Sequence, residues 1–188
     1  MENRLRADDR APSVLMATNA MELGGAETHV IELTLGLRRL GYRVAVASGG
    51  GALVAALEQA GAAHYRLPLD RRALWPMARS FFALLGLARR QRPDLLHAHA
   101  RIPALLMGLV SRLTGIPLVT TVHWPFDLSG LKRTLSHWSR HSIAVSEDLR
   151  EYLVKNYGLP PQQVAVIPNG INTETFAPRP PDRSWPTR

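Results

Sequence analysis

The chain has 188 residues, enough for one substantial domain and short for two, and its hydrophobic fraction of 46% is ordinary for a packed core. Cysteine is absent, which excludes disulfides, thiolate nucleophiles and cysteine-ligated zinc. Basic side chains number 23 against 15 acids, a formal charge of +8, which favours anionic partners: phosphates, nucleic acid or an acidic membrane surface. The bias toward basic residues is almost all arginine, since only Lys132 and Lys155 are lysines.

Short β-prone runs alternate with amphipathic helical segments along the chain. Ser13 to Thr18 reads as a buried strand. Gly25 to Leu40 reads as a helix with Val30, Leu33, Leu37 and Leu40 on one stripe and Gly41 as its stop. Tyr42 to Ser48 is the second strand, and the triplet Gly49 to Gly51 leads into a helix ending near Gly61. Ala63 to Leu67 is the third strand, and a helix from Trp75 to Gln91 ends before Pro93. Asp94 to Ala98 and Leu118 to Val122 are the fourth and fifth strands, on either side of a helix from Ile102 to Leu113. Leu131 to Trp138 is expected to be helical. His141 to Val145, a helix from Glu147 to Asn156, and Gln163 to Ile167 complete the pattern. Strands alternating with helices of this length predict an α/β fold, a Rossmann-like, doubly wound parallel sheet of about seven strands with both faces covered. Residues 1–11 are expected to be a disordered tail, 12–178 the domain, and 179–188, rich in Pro and Arg, a disordered linker stub.

The longest uncharged apolar runs, including Phe81 to Ala88, fall far short of the roughly 20 residues that span a bilayer. The first ten residues are too charged for a signal peptide. A cytoplasmic protein is expected, with peripheral attachment to the inner face of the membrane as its one route to lipid. Between Arg66 and Arg92 lie seven arginines and a single acid, Asp70. In the same stretch, Trp75, Met77, Phe81, Phe82, Leu84, Leu85 and Leu87 form an apolar arc that is wide for packing on one sheet face. The sharper reading is an anionic membrane surface as partner. The plainer one is an ordinary crossover helix with solvated arginines.

Ligands of an open parallel sheet bind beyond the carboxyl ends of its strands. Four such segments carry polar or glycine residues. After the first strand, Gly24-Gly25-Ala26-Glu27 opens a helix; two glycines there either admit an anion to backbone N–H groups or simply make a tight turn. His97 and His99 are two apart and share a strand face, so they could form half of a metal site; no third ligand stands out, imidazole pairs also line pockets, and no metal is expected. His123, ending the fifth strand, suits either a substrate hydroxyl or the capping of a following helix. Beyond the last strand, Pro168-Asn169-Gly170 is a turn out of the sheet.

In order and spacing, GGAE, DLLHAH, TTVHW, AVSE and VIPNGIN with FAP resemble the N-terminal domain of family 4 glycosyltransferases, retaining enzymes of GT-B fold, over about Ser13 to Pro178. The resemblance implies two Rossmann-like domains facing each other across a cleft. The N-terminal one would bind mainly the acceptor, a glycan or lipid-linked sugar, and the C-terminal one the nucleotide sugar, which is a co-substrate rather than a cofactor. It implies that Gly24 and Gly25 lie against the donor's phosphate and sugar, that Glu27 orders their loop, and that His123 contacts the transferring sugar as the catalytic residue. His97, His99, Ser146 and Glu147 would line the acceptor side or the cleft, and Asn169 and Gly170 would approach the hinge. Asn172 departs from the Asp usual in the family. The family's donor-side basic pair and two-glutamate motif lie in its C-terminal domain and are not among these residues, so the chain alone is expected to be inactive unless another chain supplies that domain. The competing readings are a non-catalytic glycan or lipid-linked-sugar binding module and a plain nucleotide-binding α/β protein. The latter is weakened because Ser48 stands where an acid would hold a ribose. No nucleic-acid motif accompanies the charge, and nucleic acid is not expected as a partner.

Overall fold

The structure is a computed structural model, and it describes residues 10–125, 139, 141–171 and 173. Seven parallel strands form one sheet in the order β3-β2-β1-β4-β5-β6-β7. They are β1 (Ser13–Ala17), β2 (Arg43–Ser48), β3 (Ala63–Arg66), β4 (Leu95–Ala98), β5 (Leu118–Val122), β6 (His141–Ala144) and β7 (Val164–Val166). The helices are α1 (Gly25–Arg39), α2 (Val54–Gln59), α3 (Leu74–Gln91), α4 (Arg101–Thr114) and α5 (Glu147–Tyr157). Every predicted strand is present within about two residues of its expected ends, where boundaries are least legible. The helix expected over Leu131 to Trp138, Asn172, the Phe176 to Pro178 motif and the two terminal tails fall outside the described residues, apart from Arg10 and Ala11.

Both faces of the sheet are buried because successive strand side chains point to opposite sides and both sets are apolar. In β1, Leu15 and Ala17 join Leu84, Leu96 and Met107 beneath α3 and α4. Val14 and Met16 join Val30, Val46 and Leu57 beneath α1 and α2. A smaller cluster, Val122, Ala144, Leu149, Leu153 and Val164, seats α5. Each fully buried Leu or Met contributes about 1.5–3 kcal/mol relative to an exposed one.

Three local features refine the reading of the sequence. Leu40 does not complete the buried stripe of α1; it follows the last helical turn and is 74% exposed, because Gly41 at φ +84 turns the chain away. Arg10 is not part of a disordered tail, since its guanidinium donates to the carbonyl of Arg92 at 2.9 Å and lies 3.5 Å from Asp94 Oδ1. The wide apolar arc of α3 is mostly used in packing: Leu84, Leu85 and Leu87 are buried and Met77 and Phe81 are partly so, leaving Leu74, Trp75 and Phe82 in solvent.

Chain direction across the sheet reverses between β1 and β4, since β1 pairs with β2 on one side and with β4 on the other. The connections after these two strands diverge to opposite faces and open a crevice at their carboxyl ends. The triplet Gly49-Gly50-Gly51, after β2, packs against the loop that leaves β1. Gly51 has φ +141, and a Cβ there would run into the Met21 carbonyl, so only glycine lets the β2 and β1 loops touch. Reciprocal bonds, Met21 N–H to the Gly50 carbonyl at 2.8 Å and Gly49 N–H to the Asn19 carbonyl at 2.8 Å, hold the two loops together.

Candidate functional site

The crevice gathers four imidazoles from three elements. His97 lies within β4 and His99 one residue beyond its end, so the pleat places both on one side, with ring centroids 4.1 Å apart. His123 follows β5, and His99 Nδ1 lies 3.4 Å from His123 Nε2. The fourth ring, His29, comes from the second turn of α1, with its centroid 5.1 Å from that of His123 and 5.7 Å from that of His99. His29 is the residue sequence reasoning missed. Its signal was present: it sits one turn before Leu33 on the stripe that faces the sheet, where an apolar residue would otherwise be expected.

Burial keeps these rings neutral. It pushes His97 down to about 3 and His123 down to about 4, with smaller pushes from the neighbouring histidines, while His99 is driven well below its ordinary value and His29 is lowered. His97 is satisfied internally through Nε2, 2.7 Å from Thr121 Oγ1. His99 Nε2 and His123 Nδ1 are buried and unpartnered among the described residues. A neutral imidazole carries one donor and one acceptor nitrogen. Whichever ring donates across the His99–His123 contact, the pair is left with one unused N–H and one unused lone pair. A sugar hydroxyl, which gives and accepts, matches that pair chemically.

His29, His99 and His123 also each offer a nitrogen within 4.8 Å of the others, so the third imidazole that was not evident from sequence is supplied by α1. The 3.4 Å separation of His99 Nδ1 and His123 Nε2 is near the edge of a tetrahedron with metal–nitrogen bonds of about 2.0–2.1 Å. Metal-bound imidazoles ordinarily anchor their second nitrogen on a carboxylate or carbonyl, and here those nitrogens are unpartnered among the described residues. The geometry could hold a divalent ion, but the outer support for one is lacking.

The Gly24–Gly25 loop borders the same crevice at the start of α1. Gly24 is the N-cap, extended at φ −175, and no side chain caps it. The Glu27 carboxylate folds back so closely that a Cβ on Gly24 would collide with it, whereas one on Gly25 would meet nothing. A carboxylate in this first turn favours the positive end of the helix dipole. Across the crevice, His123 and Ser146 line one cavity of about 370 Å³ together with Trp124, Asp148, Leu149 and Tyr152. Ser146 caps α5, its hydroxyl accepting from Leu149 N–H at 3.2 Å. Glu147 is not in that wall; its carboxylate is 66% exposed and pairs with Arg150 at 3.4 Å, as expected for residues three apart on a helix surface, and Asp148 is the acid that faces the cavity. Asn169 and Gly170 are exposed beyond β7, after Ile167 N–H makes a last sheet bond to the Ala144 carbonyl. A larger cavity of about 530 Å³, near Ser13, Arg43 and Arg90, opens at the amino end of the sheet, where open α/β folds do not place their ligands.

Residues 23–175 match the model of glycosyltransferase family 4. The chain belongs to glycosyltransferase family 4. A relative from Mycobacterium tuberculosis, alpha-maltose-1-phosphate synthase, is 32% identical over 86% of this chain and 44% of its own length. The gpi3 subunit of the phosphatidylinositol N-acetylglucosaminyltransferase of Schizosaccharomyces pombe is 29% identical over 84% of this chain and 38% of its own. An Escherichia coli UDP-Gal:alpha-D-GlcNAc-diphosphoundecaprenol alpha-1,3-galactosyltransferase is 28% identical over 53% of this chain and 29% of its own. Among solved structures, a Rickettsia africae glycosyltransferase superposes with a TM-score of 0.77 at 20% identity, covering 89% of this chain and 45% of that one. Anabaena HepE in complex with UDP-glucose gives 0.74 at 20% identity, over 87% and 45%. The family 4 domain described here thus has the Rossmann-like fold of these proteins and spans less than half of the length of each.

Proposed function

We propose that this domain is the N-terminal, acceptor-side half of a retaining glycosyltransferase that takes a sugar from a nucleotide-sugar donor. The observation that carries this reading is the meeting of His29, His99 and His123 beside the Gly24–Gly25 loop, at the point where strand order reverses. In such a cleft the glycine loop, open at Gly25, admits the donor's phosphate and sugar to backbone N–H groups, and Glu27 orders the loop. His123, neutral at physiological pH, hydrogen-bonds a hydroxyl of the transferring sugar, and His99 holds its ring. His97, Ser146 and Asp148 shape the adjoining wall.

Transfer also needs a group opposite this face that neutralises the leaving diphosphate, and donor and acceptor must be held together. A second domain, in the same polypeptide or from another chain, supplies that group. These residues by themselves are therefore expected to give negligible transfer. No metal takes part in this scheme. The relatives' names refer to a diphosphoundecaprenol-linked sugar, a phosphatidylinositol and a maltose 1-phosphate, so a phosphorylated glycan or lipid-linked acceptor is the substrate class they favour. A lipid-linked acceptor would be reached by peripheral attachment at the inner membrane face, and the net charge of +8 supports that reading.

The test is to assay the domain joined to its donor-binding partner, with and without His123→Ala. A loss of about 10²-fold in kcat is expected, the scale of removing one aligned polar group from a transition state. Wild-type turnover in the variant would leave His123 structural and favour a non-catalytic binding module.

A further inference from the structure

A second cavity, of about 490 Å³, opens at the carboxyl ends of β2 and β3 and is lined by Gly49, Arg66, Asp70, Arg71, Trp75 and Arg79 among others. Its three guanidinium groups come from three places: Arg66 ends β3, Arg71 lies in the following loop, and Arg79 lies in the second turn of α3. Arg66 is oriented by its own backbone contact, Nε donating to the Gly49 carbonyl at 3.2 Å, which leaves its terminal nitrogens as donors. Gly49 lines the cavity without a side chain, and a Cβ there would stand 2.9 Å from Asp70 Oδ1; one on Gly50, the next residue, would stand 3.1 Å from Arg66 Nε. Neither Arg71 nor Arg79 forms an ion pair among the described residues, where the only pairs are Arg10–Asp94 and Arg150–Glu147. Three cations against one carboxylate in a single cavity repel one another, and an anion relieves that repulsion. Guanidinium groups suit phosphate because their planar N–H pairs match two of its oxygens.

The cavity is also joined to the candidate site, since Gly49 N–H is bonded to the Asn19 carbonyl in the loop that runs on to Gly24. Trp75, 80% exposed, is among its lining residues, and Leu74 and Phe82 of the same helix are also exposed. We infer that this cavity is a phosphate subsite for the acceptor, with Arg66, Arg71 and Arg79 on the phosphate or diphosphate group and Trp75 at the exit for whatever that group carries. The inference rests on the acceptor-side reading and assigns the residues that would hold the acceptor's phosphate.

Binding can be measured on the chain itself by isothermal titration, with inorganic pyrophosphate, glucose 1-phosphate, geranyl phosphate and geraniol as probes. Saturable binding of the three phosphorylated probes is expected, with none for geraniol. Arg71→Ala/Arg79→Ala should weaken it about tenfold or more, the scale of losing hydrogen bonds to a charged group. Arg39→Ala/Arg112→Ala removes the same charge from exposed helix positions elsewhere and should leave affinity within about twofold after allowance for long-range screening. Arg71→Lys/Arg79→Lys, expected to recover part of the binding, guards against loss through misfolding. Two arms separate the sources: geranyl phosphate binding tighter than glucose 1-phosphate, with the gain lost in Trp75→Ala, identifies a lipid phosphate, and equal binding identifies a soluble sugar phosphate. Absence of binding, or equal weakening by the two alanine pairs, would overturn the subsite. This readout needs no turnover, so its failure is separable from failure of the glycosyltransferase reading, which is decided by His123→Ala in the two-domain assembly.

Discussion

At the scale of single residues, the lowered pKa values of the histidines bear both on acid stability and on the role proposed for His123. His123 stays neutral down to about pH 4 in the fold, so its contribution to turnover should be flat between about pH 8 and 6 rather than falling near its ordinary value of 6.5. A pH profile of wild-type kcat divided by that of His123→Ala checks this, and an inflection near 6.5 in that ratio would contradict it. Stability follows from the same depression. The unfolded chain takes up protons on these rings as pH falls through 6.5, while the folded chain keeps His97 and His123 neutral down to about 3 and about 4. Stability is thus fully present above about 6.5 and is lost progressively as pH falls toward about 4 for His123 and about 3 for His97. The melting temperature of the wild type should drop between about pH 7 and pH 5, above the range where carboxylates titrate, and His97→Gln/His99→Gln should flatten that slope. An identical slope in the variant would remove the cluster as its cause.

At the scale of elements, three substitutions separate backbone requirements from helix propensity. Gly51→Ala combines a left-handed φ of +141 with a Cβ driven into the Met21 carbonyl, so a loss of about 1–3 kcal/mol or more is expected in denaturant titration. Gly36→Ala adds a Cβ with nothing within 4 Å in the middle of α1 and should stabilise by about 0.5–1 kcal/mol. Ser146→Ala removes the cap of α5 and should cost about 1 kcal/mol. A neutral Gly51→Ala would mean that the β1 and β2 loops do not touch as described. Such contacts are invisible in sequence: the triplet Gly49 to Gly51 announces a turn, but not that its last member must pass beneath a carbonyl 30 residues earlier in the chain.

For the whole molecule, the surface around α3 is the place where a peripheral contact with a membrane can be tested. Most of its apolar arc is spent on the core, as an ordinary crossover helix requires, yet Leu74, Trp75 and Phe82 remain exposed beside Arg71, Arg72 and Arg79. No helix of the described residues is long and apolar enough to cross a membrane, so any contact with lipid through this surface is peripheral. Each arginine near an anionic surface contributes about 1 kcal/mol. The chain should sediment with phosphatidylserine vesicles at low salt, release as salt is raised, and bind less in Trp75→Ser/Phe82→Ser. Equal partitioning into neutral and anionic vesicles would detach the net charge of +8 from any membrane role.

Local pattern was enough for the seven strands, the five described helices, and the strand ends that bear Gly24, His99, His123 and Ser146. Hydrophobic period and glycine or proline stops are properties of neighbouring residues, and a parallel sheet buried on both faces makes them strong. The ordered motifs made family membership legible in the same way. Tertiary structure alone decided which side chains meet. It brought His29 from α1 onto His99 and His123 and gathered Arg66, Arg71 and Arg79 around one cavity. It also turned Glu147 away to Arg150, so that Asp148, the next residue, faces the cavity beside His123. The physical reason is that most of these contacts join residues far apart in the chain. Their distances are set by strand order and helix packing, which no local period encodes.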